Sequence, residues 1–193
     1  FAGTWTKTIY FTEKVDQFRK NEGVWNIDRT LELDFTNTSS TDTRAFYQYC
    51  VNWVYDNKDV PMGAPARDNA GEIISSKPAG NYWVSNYGNN EFYTGASAYY
   101  GNMDWRPSAV KGGFAAADMG NLSDDEILAK LKEHSAEVFA AVLSYMYPEM
   151  TSDEYKKVVI KVYSYGPNKN YSFTFDVLEQ GKFAYVEDSL IEL

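Results

Sequence analysis

Glu91 and Asp104 are the acids best placed to do chemistry in this chain. Both lie in an aromatic stretch, and a glycosidase needs two carboxylates flanking one bond. Separation along the chain does not establish that geometry. A small glycoside or other hydrolase using this pair therefore stands as an alternative to a binding role. His134 falls between Leu131 and Val138 of a helical pattern, and the sequence shows neither an orienting carboxylate nor a nucleophile for it. It reads as a boundary side chain. Cys50, the single cysteine, sits in an apolar aromatic run and reads as a small buried hydrophobe. One cysteine forms no internal disulfide, and one histidine completes no Cys/His metal set. Asp56, Asn57 and Asp59 offer oxygens to calcium but lack the EF-hand loop pattern, so they read as a solvated turn. No phosphate-loop or dinucleotide spacing occurs. On this reading the chain is not an enzyme, and no catalytic residue, metal or cofactor is assigned.

The stretch from Gly80 to Arg106 carries eight aromatics, interleaved with asparagines and glycines. Aromatic faces beside amide groups suit a sugar or peptide surface, because flat rings stack and amides set orientation. The candidate ligand-binding residues are Trp83, Tyr87, Asn90, Tyr93, Tyr99, Tyr100 and Trp105. Two readings stay open. Most of the rings pack in the core, since aromatics bury large areas. Alternatively, two or three remain exposed and grip a ligand or partner, as tyrosine and tryptophan do at interface hot spots. A structural subunit packing these rings against another chain belongs to the second reading.

The composition frames these options. The chain has 193 residues, 44% hydrophobic and 17% aromatic, with a formal net charge of −9. Such a chain can build a core and is not expected to be disordered. The acidic balance argues against nucleic acid, which requires clustered Lys and Arg. No stretch reaches the roughly 18 apolar residues of a membrane span. The start, FAGTW, reads as that of a mature or trimmed product. Asn37-Thr38-Ser39, Asn121-Leu122-Ser123 and Asn170-Tyr171-Ser172 match glycan-acceptor sequons, which matter only in a secretory pathway.

The elements that must position any site follow from periodicity. Residues 4–12 and 24–36 alternate as strands, the second with Leu31, Leu33 and Phe35 inward. The charged run 13–22 between them reads as a loop or one helical turn. NTSSTD (37–42) is a turn. RAFYQYCVNWVYD (44–56) is ambiguous. Its composition favours a strand, while its 46, 49, 50, 53, 54 spacing fits a helix capped by Thr41 or Asp42. The reading leans to strand. A Pro/Gly-rich irregular connection, about 56–120, contains short strands at 71–76, YWVS and EFYTG, the last two joined by a turn at NYGNN. Ser123 to Glu126 forms a capping box, with Leu122 and Ile127 as a hydrophobic staple. It opens an amphipathic helix over 123–147, stopped by Pro148. The end is a meander: 156–165, 171–178 and 183–187, turning at GPNKN and EQGK. The sum is a single α+β domain over 1–193, an antiparallel sheet packed with one main helix.

EFYTGASAYYGNMDWRP (91–107), with the Thr-rich strands, acidic charge and lack of disulfides, resembles surface lipoproteins of Bacteroidetes. Those are often encoded beside SusC/SusD-like uptake systems. The resemblance spans roughly Phe46 to Val177 and carries no catalytic signature. It implies a signal and a lipidated cysteine upstream of Phe1, and a location on the extracellular face of the outer membrane. It also implies a non-enzymatic accessory role in nutrient uptake, capturing an oligosaccharide or peptide or binding the transporter. Asp188-Ser189-Leu190 resembles that phylum's O-glycosylation pattern. No ligand-contact residue is carried over from the resemblance.

Overall fold

Alternation along the C-terminal third dictates the heart of the structure. The computed structural model describes residues 17–21, 23–58, 65–67, 73–78, 94–98, 100–108 and 121–193. In chain order the strands are β1 (Gln17–Asn21), β2 (Val24–Asp28), β3 (Thr30–Phe35), β4 (Pro65–Arg67), β5 (Ile73–Pro78), β6 (Ala96–Ser97), β7 (Asn102–Asp104), β8 (Lys157–Tyr165), β9 (Lys169–Val177), β10 (Phe183–Tyr185) and β11 (Ile191–Glu192). The helices are α1 (Thr41–Asn57) and α2 (Asp124–Met146). The fold is α+β with a C-terminal strand meander, as the sequence predicts.

Val158, Ile160 and Val162 of β8 are buried with Tyr171, Phe173, Phe175 and Val177 of β9, because every second side chain of a strand faces the same way. β8 and β9 pair antiparallel over eight residue pairs and form the centre of a seven-stranded sheet. The outer edge of β9 is shared end to end by β10 and β11. The outer edge of β8 is shared by β3 and β7, and both lie parallel to it. The sheet is therefore mixed rather than wholly antiparallel. A parallel pair needs a crossover element between its strands, and α1 and α2 lie between β3 and β8 in the chain.

The 44–56 run is helix, not strand. It lies within α1, and the 46, 50, 54 stripe carries the fully buried Phe46, Cys50 and Val54. A core on one side of the run overrides the β propensity of its Val and aromatic residues. The N-cap is Ser40 rather than Thr41 or Asp42, and its side chain makes no capping bond. α2 begins as expected. The Glu126 amide donates to Ser123 Oγ at 3.3 Å, and the Ser123 amide donates to Glu126 Oε2 at 2.8 Å.

The rings form a continuous column through the layers. Phe35 of β3 stacks on Phe46 of α1 at 4.1 Å and 6°. Phe46 meets Phe139 of α2 at 5.3 Å, and Phe139 meets Phe173 of β9 edge-on at 5.2 Å. Such contacts add about 0.5–1.5 kcal/mol each beyond area burial. Both helices therefore cover the same face of the sheet, and the other face carries Lys157, Thr174 and Asp176 half-buried or more exposed.

Two further readings need revision. The predicted strand 24–36 breaks at Arg29. Its first part pairs with β1 in a separate hairpin, and its second joins the main sheet. Residues 17–21 of the supposed loop 13–22 are thus strand. In the 71–76 region the strand described is β5, paired with β4. The strands read at 4–12 and YWVS, and the NYGNN turn, lie outside the described residues. So does most of EFYTG, whose Thr94 and Gly95 are not strand.

Candidate recognition groove between the two helices

Of the residues proposed from the aromatic stretch, Trp105 and Tyr100 are placed. Trp105 has no exposed surface. It lies 5.0 Å from Tyr171 and 6.4 Å from Phe173, ring to ring, and its Nε1–H donates to the Thr94 carbonyl at 3.0 Å. A ring with no free face stacks on no ligand, so Trp105 serves the core. Tyr100 is 46% exposed beside the turn at Gly101. Trp83, Tyr87, Asn90, Tyr93 and Tyr99 lie outside the described residues.

Of the acid pair, Asp104 is placed. Glu91 lies outside the described residues. Asp104 is buried, and the Arg106 guanidinium grips both its oxygens, Nε to Oδ1 at 2.7 Å and Nη2 to Oδ2 at 2.5 Å. Arg106 in turn lies 5.0 Å over the Tyr165 ring. This two-point pair is a positioning device for the β7–β8 junction. Cys50 is fully buried, and burial pushes its thiol pKa well up, so it behaves as the inert hydrophobe expected. Ser189 of the Asp188-Ser189-Leu190 triplet has its hydroxyl engaged. It accepts from the Thr174 amide at 3.1 Å and donates to the Thr174 carbonyl at 3.3 Å, tying the C-terminal segment to β9.

Aromatic faces and amides do come together elsewhere. α1 presents Tyr49, Asn52, Trp53, Asp56 and Asn57 along one side, at the i, i+3, i+4, i+7, i+8 spacing of a helix face. Across from them α2 presents Val142 and Tyr145. Together they line an open groove of about 320 Å3, within the usual range for ligand pockets. Tyr49 and Tyr145 approach at 5.2 Å and 57°, and Tyr145 is 68% exposed. Trp53 is half-buried, with the Lys58 ammonium 5.5 Å from its ring centre. Lys58 is itself held by Glu137 at 2.5 Å.

The polar groups around these rings are oriented. Gln48 Nε2 donates to Asn52 Oδ1 at 3.0 Å, which aims the Asn52 amide and leaves its Nδ2 hydrogens for a ligand. Asn57 Nδ2 donates to the Trp53 carbonyl at 2.8 Å, which leaves Asn57 Oδ1 as an acceptor. Asp56, exposed in the last turn, adds a carboxylate. Asp56 and Asn57 are thus helical groove residues rather than a solvated turn. Among the described residues no cluster of three or more His, Cys, Asp or Glu is built to hold a metal. No described helix is long and apolar enough to cross a membrane.

The groove was hidden by one choice. Read as a strand, 44–56 throws Tyr49 and Asn52 to opposite faces. Read at the helical spacing it also shows, the run puts Tyr49, Asn52, Trp53 and Asp56 on one face. Compared with known proteins, the chain matches no family model, no curated protein and no solved structure.

Proposed function

We propose that this chain is a non-enzymatic recognition protein that captures a glycan in the groove between α1 and α2. The observation that carries the proposal is the convergence of Tyr49, Trp53 and Tyr145 with the oriented amides of Asn52 and Asn57 in one concave site. A sugar ring offers an apolar face of C–H groups to an aromatic ring and hydroxyls to amides and carboxylates at its rim. Tyr and Trp supply large contact area with few rotatable bonds, which lowers the ordering cost of binding. The Asn52 donors and the Asn57 and Asp56 acceptors suit hydroxyls, which both donate and accept. Through the resemblance at 91–107, the proposal extends to an accessory role at a cell surface, beside an outer-membrane uptake system.

Retention on immobilised polysaccharides, followed by titration with the oligosaccharide of the retained polymer, tests the groove. Wild type is retained on at least one polymer and Tyr145→Ala is not, while both unfold at similar denaturant concentration. Equal retention of the two proteins, or none for wild type across plant, fungal and host polysaccharides, overturns the assignment. The accessory role is tested separately, by the genes beside this one. A SusC/SusD-like pair supports it, and the lack of one removes it.

A further inference from the structure

A second groove, of about 470 Å3, lies beside the first and meets it at Tyr49. Four of its lining residues, Glu32, Leu33, Asp34 and Phe35, are consecutive in β3. Successive strand residues point to opposite faces, so a cavity touching four in a row lies at the strand's edge and not on a face. β3 pairs with β8 through all six of its residues on one side. Among the described residues no strand pairs with its other side. That edge presents main-chain donors and acceptors, a template for another extended chain. The facing wall is apolar, built from Tyr49 of α1 and from Met146 and Tyr147 at the end of α2.

Charge selects the occupant. Glu32, Asp34 and Asp42 bring three carboxylates to the groove, and its described lining holds no Lys or Arg; the Lys161 ammonium lies 3.0 Å from Glu32. Asp34 is held ionised by bonds from Thr36, its Oδ1 accepting from the Thr36 amide at 2.9 Å and the Thr36 hydroxyl at 2.6 Å, and its pKa is lowered accordingly. Charged residues alone would read as protection of an open edge against association. An apolar wall running beside the edge does not serve protection; it gives side chains somewhere to go.

The geometry points to β3 and its groove as a docking site for an extended basic peptide segment of a partner protein, added as a strand to the edge of β3 that no described strand pairs with. Main-chain bonds to β3 supply affinity. Alternate apolar side chains pack toward Tyr49 and Met146, and the lysines or arginines between them meet the acidic rim. The inference shares only Tyr49 with the glycan groove and otherwise uses a strand edge and charge.

The test uses the full chain and an eight-residue peptide alternating Lys with Val, fluorescently labelled, read by anisotropy and by amide hydrogen exchange. Saturable binding is expected, with new protection confined to amides of residues 30–36. Asp42→Lys is expected to weaken binding at least tenfold, as is placing proline at the peptide's centre, which removes an N–H from the added strand. Replacing Lys by Glu in the peptide is expected to abolish binding. Absence of binding overturns the inference, as does binding that survives both the proline peptide and Asp42→Lys. Protection appearing away from 30–36 overturns it too, as does dimerisation of the chain through residues 30–36 in the absence of peptide.

Discussion

Trp105 and Tyr145 show how differently two aromatic side chains serve one protein. Trp105 is sealed between Tyr171 and Phe173 and bonded to Thr94, so Trp105→Ala is expected to cost about 3–5 kcal/mol in chemical denaturation. Tyr145, mostly exposed and in ring contact with Tyr49 alone among the described rings, is expected to change stability by about 1 kcal/mol or less when cut to alanine. Both sit among aromatic neighbours, and nothing in residue type or local spacing separates them. Burial depends on which elements close over a ring, and that is decided far away in sequence. Tyr47 gives a complementary case. Its hydroxyl is buried with no hydrogen-bond partner among the described residues, a state that costs about 1–3 kcal/mol. Tyr47→Phe is therefore expected to leave the midpoint of unfolding unchanged or raise it; a clear fall would show a bond to the hydroxyl. Cys50 is expected to resist thiol reagents at neutral pH until denaturant opens the core.

At the level of elements, local signals were legible where they were self-sufficient. The capping box at Ser123 needs only four residues to declare itself, and α2 starts where it says. Ser123→Ala is expected to cost about 0.5–2 kcal/mol, by thermal or denaturant unfolding, because it strips one side of a reciprocal pair. The β8 and β9 alternation is equally local, and both strands appear as read. α1 failed for a physical reason. Its Val, Tyr, Trp and Cys content favours strand, its opening Ser40 makes no side-chain cap, and only the apolar stripe at Phe46, Cys50 and Val54 betrays a helix. Losing that helix in the reading also lost the crossover that allows β3 to lie parallel to β8. The Gly181 turn illustrates a tertiary constraint of the same kind. Its φ is +64°, and a Cβ there would run into the Pro148 backbone. Gly181→Ala is expected to destabilise the junction between α2 and β10.

Across the whole molecule, charge sets the response to pH. Asp34, Glu126 and Glu179 have lowered pKa values, held down first by side-chain hydrogen bonds from Thr36, Ser123 and Lys182 respectively. Their contributions are present above the usual carboxylate range and vanish as pH falls through it. Lys161, Lys169 and Lys182 have raised values, through bonds to Glu32, Glu192 and Glu179. Their contributions are full below the usual lysine range and are lost as pH rises through the folded values. Stability measured by thermal unfolding is expected to fall on acidification, to be flat from above the carboxylate range to the ordinary thiol range, and to fall at higher pH, where Cys50 and then Tyr47, both raised by burial, ionise only on unfolding. Asp34→Asn should lessen the acid limb; an unchanged limb would place its origin elsewhere. On the same scale, the chain's excess of acid suits recognition of neutral or basic partners, and both grooves carry carboxylates at their rims.

Calorimetric titration of the retained oligosaccharide into wild type and Tyr145→Ala is the most direct measurement of groove recognition. Tyr145 belongs to that groove and has little part in the core, so folding and binding separate cleanly in this variant. The groove predicts a little-changed unfolding curve with affinity down at least tenfold, about 1.4 kcal/mol. Affinity equal to wild type in a folded Tyr145→Ala protein would contradict recognition at the groove between α1 and α2.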